Sequence, residues 1–228
     1  FGTPGGTTAD GTASKAFTVD ADGDNDATAD TPVVTVGAGA IGLSFTQAKI
    51  GADADIEANV NGNITTSGDF IVDALGTNNA IADTKVVAVG LIGAAGAGLL
   101  ARIEGQVKAS TVGNVTGASG LADVKADGTN IASATQLGVA VGLITANFPV
   151  PPNPGDDAAD AGATAEITSG AQVIASVGAG TWSVNDADIT IDANGRNDAD
   201  AESHGVGVAL IAVNVVMATA IVGGAVKA

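Results

Sequence analysis

The chain of 228 residues is 46% apolar but only 3% aromatic, contains 33 glycines, no tyrosine and no cysteine, and carries a formal net charge of −17. That charge, with the few lysines and arginines scattered singly, repels phosphate backbones and excludes nucleic acid as a partner, while the missing cysteines exclude a disulfide framework or a thiolate metal site. A core of Ala, Val, Ile, Leu and Gly without rings suits thin layers stacked one on the next, and the same composition predicts strands over helices.

The chain opens on Phe1 with no basic stretch leading into an apolar segment, as expected of a mature chain whose leader has been removed or of a segment excised from a longer one. The first patterned element is VDADGDNDATA at 19–29, and it returns as VDALGTNNAIA at 72–82, VKADGTNIASA at 124–134 and IDANGRNDADA at 191–201. The spacings are 53, 52 and 67 residues, and the long interval holds FPVPPNPGDDAADAG, a Pro- and Asp-rich surface insertion at 148–162. The match continues downstream: Val34, Val87, Val139 and Val206 share one column, Val36, Val89, Val141 and Val208 another, and Ala48, Ala101 and Ala220 a third, followed by Ile50, Ile103 and Val222. The prediction is one domain over 1–228, all-β, a parallel β-solenoid (β-helix) of about four repeats with motifs starting near 19, 72, 124 and 191. With two or three coils per repeat at about 4.8 Å each, the subunit would rise roughly 40–60 Å.

Within the first motif Val19, Ala21, Gly23, Asn25, Ala27 and Ala29 have one parity, and Asp20, Asp22, Asp24, Asp26, Thr28 and Asp30 the other. A period of two is the strand signature, with small residues inward and acids in water. The column Asn25, Asn78, Asn130 and Asn197 shares the inward parity, and fits either an internal amide ladder or a Gly-x-Asn turn. Asp20, Asp22, Asp24 and Asp26 also resemble the D-x-D-G-D-x-D loops that supply hard oxygen ligands to Ca²⁺, which makes calcium the one candidate cofactor. Against this, the equivalent positions are Asp73, Leu75, Thr77 and Asn79 in the second copy and Lys125, Asp127, Thr129 and Ile131 in the third, the pattern of a solvated strand face. Asp156, Asp157 and Asp160 in the insertion are a second candidate cluster.

The later part of each repeat is apolar at both parities, as in VVAVGLIGAAGAGLLA at 86–101 and GVGVALIAVNVVMATAIVGG at 205–224. Such strands need cover on both faces, from the core on one side and from a second layer, a neighbouring subunit or a membrane on the other. The segment 205–224 is long enough for a transmembrane helix, but its phase with shorter, polar-interrupted copies predicts strands and no membrane span.

The pattern GVGVALIAVNVV, then A-x-[IV] and Gly, with VDAxGxN, resembles repeats of large secreted bacterial surface proteins of the filamentous-haemagglutinin and leukotoxin-like kind. The resemblance implies β-helical structure, secretion, an elongated shape and attachment at a cell surface, and transfers no catalytic residue.

An enzyme is not expected. His204, the only histidine, has Glu202 two residues earlier on the same strand face, and no Ser/His/Asp constellation or phosphate loop can be assembled. Trp182 stands alone as a sugar platform, and Arg102 and Arg196 are far apart. Thr31 aligns with Thr84 and Thr77 with Thr129, but neither column persists through four copies as an ice-binding rank would require. Asn63-Ile64-Thr65 and Asn114-Val115-Thr116 are glycosylation acceptor sequences. The ends are close to phase-matched: Phe1 aligns with Ala54 and Gln106, and Ala228 with Ile56 and Ala109. The expected function is therefore an extracellular structural protein whose partner is itself, assembling head to tail into a filament, fibre or surface layer; the alternative is a β-helical adhesin, whole or fragment, with a cell-surface ligand.

Overall fold

The computed structural model describes residues 5–8, 11–13, 15–151 and 162–228, and among them the regular elements are all strands. The first pass of the chain makes β1 (Gly5–Thr8), β2 (Gly11–Ala13), β3 (Phe17–Val36) and β4 (Gly39–Ile50). The second makes β5 (Ile56–Asn61), β6 (Ile64–Thr66), β7 (Phe70–Val89) and β8 (Ile92–Ile103). The third makes β9 (Val107–Val112), β10 (Val115–Thr116), β11 (Leu121–Val141), β12 (Ile144–Pro149) and β13 (Ala163–Ile167). The fourth makes β14 (Val173–Val177), β15 (Trp182–Ser183), β16 (Asp188–Val208), β17 (Ile211–Asn214) and β18 (Ala218–Val222), and β19 (Val226–Lys227) starts a further pass.

Equivalent strands stack in sequence order into four parallel sheets. The long sheet is β3, β7, β11 and β16; the facing sheet contains β4, β8, β12 with β13, and β17 with β18; the side sheet is β1, β5, β9, β14 and β19; the short corner sheet is β2, β6, β10 and β15. Register follows the predicted columns, for example Val34 with Val87, Val87 with Val139 and Val139 with Val206. One repeat is thus one circuit of the four sheets. Two or three coils per repeat is corrected to one, and four circuits at about 4.8 Å give a rise of about 19 Å, not 40–60 Å.

The long strands explain how one circuit absorbs a whole repeat. Twenty residues in β3 extend about 66 Å, and the facing and side strands lie end to end against that length. The core accordingly has two parts. Ala80, Ala82, Val86 and Ala88 meet the facing sheet around Ala97, Leu99, Ala101 and Ile103, while Phe70, Val72 and Ala74 meet Ile56, Ala58, Val107 and Ala109 of the side sheet. The glycine of VDAxGxN belongs to the second part: a Cβ on Gly76 would lie 2.6 Å from Ile56 Cδ1 and 2.7 Å from Val107 Cγ2. Phe17 stacks on Phe70 at 5.8 Å, and Trp182 meets the edge of the same ring pair at 5.3 Å from Phe70.

The second and third circuits reveal where repeats differ in length. Ile50 pairs Ile103, yet Ile56 pairs Val107, so the corner is 51–55 in one circuit and 104–106 in the next. Ala109 consequently sits beside Ala58, two residues from the expected alignment with Ile56. Pro149 pairs Ala97 and Ala163 pairs Leu99, so residues 150–162 stand where Gly98 alone stands in the preceding circuit. This is the insertion; Asp156, Asp157 and Asp160 lie outside the described residues. Its leading flank covers β8, since a Cβ on Gly96 would meet Phe148 and Val150 and one on Gly98 would meet Val150 and Pro151. Both faces of Ala95–Ala101 are buried as a result. The run 205–224 forms strands and turns, and no helix is long and apolar enough to cross a membrane among the described residues.

Candidate functional site

The inward asparagine column forms a continuous ladder. Asn25 Nδ2 donates to Asn78 Oδ1 at 2.8 Å, Asn78 Nδ2 to Asn130 Oδ1 at 2.8 Å and Asn130 Nδ2 to Asn197 Oδ1 at 2.7 Å. The ladder faces the corner between the facing and side sheets, where backbone carbonyls turn inward without a strand partner. Asn25 Nδ2 also donates to Ala54 O at 2.9 Å, and Asn78 Nδ2 to Gly105 O at 3.3 Å. Parity indicated the direction of these side chains; the corner carbonyls, which explain the choice of an amide, carry no signal in the sequence. A second rung repeats the device in the facing sheet, where Asn147 Nδ2 donates to Asn214 Oδ1 at 2.5 Å.

Asp20, Asp22, Asp24 and Asp26 lie at alternate positions of β3 on its solvent face, all exposed. Residues two apart on a strand are separated by about 6.6 Å, so the four carboxylates form a row and do not converge on a point. No group of three or more acidic or histidine side chains is close enough to hold a metal ion among the described residues. The row continues onto neighbouring circuits, where Asp20 is beside Asp73 and Asp73 beside Lys125. Burial first, then the charges of Asp20 and Asp127, raise the Asp73 carboxyl above the ordinary carboxylate range. Lys125 is held above the usual ammonium range chiefly by its hydrogen bond to Asp123, at 2.6 Å.

The other candidate residues are dispersed. His204 and Glu202 approach to 3.5 Å on an exposed stretch of β16. Arg102 belongs to an ion-pair cluster on the facing sheet, 2.9 Å from Glu104 and 3.3 Å from Glu166, with Lys49 3.3 Å from Glu104. That cluster was legible as a column, since Lys49 and Arg102 follow the aligned Ala48 and Ala101. Arg196 instead pairs Asp198 on the long sheet at 2.6 Å. Trp182 packs on Phe70 and offers no open ring platform. Thr31 and Thr84 face inward, where Thr84 Oγ1 donates to Thr31 O at 2.6 Å and shares a hydrogen bond with Ser44 Oγ at 2.8 Å; a surface rank is ruled out for that column. Asn63 and Asn114 are exposed, and Asn114 Nδ2 donates to Asn63 Oδ1 at 2.8 Å.

The two ends of the stack differ, and sequence reasoning missed how. Facing strands sit half a step along from long strands: β4 packs against both β3 and β7, and β8 against both β7 and β11. At the far end β18 meets β16 and has no further long strand beyond it. Inward side chains of the last circuit are therefore open, with Ile191 40%, Val222 54% and Val226 42% exposed, whereas their counterparts Val72, Ile103 and Val107 are 0% exposed. At the near end β3 overhangs in the opposite sense, and a trough of 450 Å³ lined by Asp24, Asn25, Ala27, Ile50 and Ala54 opens beside the first asparagine. No protein-family model, curated protein or solved structure matches the chain.

Proposed function

We propose that the chain is a β-solenoid wound one circuit per repeat, and that it polymerises head to tail into an extracellular filament, fibre or surface layer. The observation that carries this reading is the half-step offset, which leaves one end lacking a long strand and the other end presenting one. Placing β3 of a following copy on the free edge of β16 continues the existing columns: Ile191 meets Val19, Ala193 meets Ala21, Gly195 meets Gly23, Asn197 meets Asn25 and Ala199 meets Ala27. The terminal amide of Asn197 then donates to Asn25 Oδ1, and the half-open core closes under β3. Unpaired strand edges with uncovered apolar interiors are the feature that templates further pairing. Burying side chains such as Ile191, Val222 and Val226 contributes about 1 kcal/mol each at their present exposure. Secretion and surface location rest on the resemblance to repeats of secreted surface proteins alone.

Electron microscopy of the purified chain tests the reading. Expected are unbranched fibres with an axial subunit repeat of about 19 Å and a strand spacing of about 4.8 Å along the axis, unchanged by EGTA because the Asp20–Asp26 row does not enclose an ion. Isolated short particles at all concentrations would refute polymerisation and favour a ligand-binding adhesin.

A further inference from the structure

The stretches 33–48, 86–101, 138–151 and 205–222 contain no charged residue, although the chain carries 33 of them. Stacking places these stretches in one belt that wraps the corner from the long sheet to the facing sheet. At its crest are two columns, Leu91, Leu143 and Leu210, and Ile92, Ile144 and Ile211. Leu91 and Leu143 are 60% and 52% exposed although they belong to interior circuits, so this exposure is independent of the open ends. With the adjoining valine columns, about eleven half-exposed side chains at roughly 60–120 Å² apiece when fully buried present on the order of 600 Å². That lies at the top of the ~300–600 Å² range for the largest apolar patch of a monomer and approaches the ~800 Å² per partner of a stable interface.

We infer that this belt is a lateral interface with a second copy of the same chain, distinct from the head-to-tail ends. Two observations select the occupant. Surfaces that bind lipid headgroups carry Lys, Arg, Trp or Tyr, yet the belt has none of these, the chain has no tyrosine, and its single tryptophan packs on Phe70. The crest also repeats at the strand spacing of about 4.8 Å, so its side chains interdigitate through every circuit only with a surface of equal period, as in dry interfaces between stacked sheets. A second copy related by a two-fold axis has that period by construction. The acidic rows of the long sheet lie away from the crest and point outward when two corners meet, so their repulsion does not oppose the contact.

Sedimentation velocity separates this interface from axial growth. Val222→Glu puts a carboxylate into the open end and blocks stacking, and the expected species at micromolar concentration is a dimer. Adding Leu143→Glu should weaken that dimer by about 100-fold or more through a desolvated, unpaired charge, with circular dichroism unchanged. Leu210→Glu, at an 86% exposed position that the fold does not need, gives the same result if Leu143→Glu disturbs folding. A monomer in the Val222→Glu background, or a dimer indifferent to both belt variants, overturns the inference. So does belt-dependent co-sedimentation with phosphatidylcholine vesicles in place of dimerisation. Because the readout is a blocked-end dimer, it stands or falls separately from fibre formation.

Discussion

Asn78 is fully enclosed, accepts one hydrogen bond from Asn25 and donates to both Asn130 Oδ1 and Gly105 O. Alanine at this position leaves those two acceptors without their donor in a site that the neighbouring circuits close to water. At about 1–3 kcal/mol for each buried unsatisfied group, Asn78→Ala should cost about 2–6 kcal/mol, a large share of the 5–15 kcal/mol that holds a domain together. Asn197 offers the internal control. It makes the same rung to Asn130 but sits on the open circuit, where water can replace the lost partner, so Asn197→Ala should cost only about 1 kcal/mol. Urea unfolding at a protein concentration below assembly measures both, and a shift in midpoint of roughly 1–3 M is expected for Asn78→Ala with a slope of about 2–3 kcal/mol/M. Equal losses for the two variants, or less than about 1 kcal/mol for Asn78→Ala, would refute the ladder as a stabilising element.

Gly76→Ala should destabilise by about 1–3 kcal/mol through overlap with Ile56 and Val107, and Val107→Ala in the same chain should recover part of the loss in thermal melts. Asp73→Asn should stabilise the isolated chain at neutral pH by about 0.5 kcal/mol, the scale of a solvent-screened cross-strand repulsion. Because the folded carboxyl is raised above its unfolded value, its protonated form favours folding. Wild-type stability therefore rises as pH falls through that raised value, and Asp73→Asn flattens this part of the profile. Head-to-tail stacking would set Asp192 over Asp20, Asp198 over Asp26 and Glu202 over Asp30, with Arg196 over Asp24 as the one compensating pair. Raising ionic strength from ~0.01 to ~0.15 M cuts the screening length from about 30 to 8 Å, so the concentration needed for fibres should fall severalfold by light scattering; an unchanged or higher threshold would count against this seam.

Parity and column matching reached far into the fold because a sheet of equivalent strands repeats each choice four times. The inward Val19, Ala21 and Ala27 and the outward aspartates fall where alternation placed them, and the insertion breaks the register at Pro149. The number of coils was illegible for a physical reason. Ordinary strands run about five or six residues and rarely hold glycine or proline inside, so a repeat of this length suggested several turns. In the fold Gly23 is a clearance for Ile56, and Pro32 lies in the first strand of the long sheet, with a partner on one side only among the described residues. The aspartate string has the composition of a calcium loop, but strand geometry spaces its side chains along an axis; sequence does not reveal which backbone carries a motif. The half-step between sheets is illegible for a deeper reason, since it belongs to how the parallel sheets are offset and to no residue.

That offset gives the ends their chemistry. In an interior circuit each asparagine both donates and accepts, and each side-sheet valine is covered by the long strands on either side of its level. Cutting the stack after four circuits leaves an acceptor at Asn25 on one end and a donor at Asn197 on the other. A polymer built on these contacts is consequently polar. Reversing one copy would oppose donor to donor and leave the overhanging β18 facing another overhang instead of a long strand. The columns that make every circuit alike would thus also dictate direction, and they would place the charge-free corner of each copy in line with the next. Axial stacking would lengthen the belt without altering its period, so lateral pairing, already enough to dimerise single subunits, would grow stronger with every copy added to the fibre.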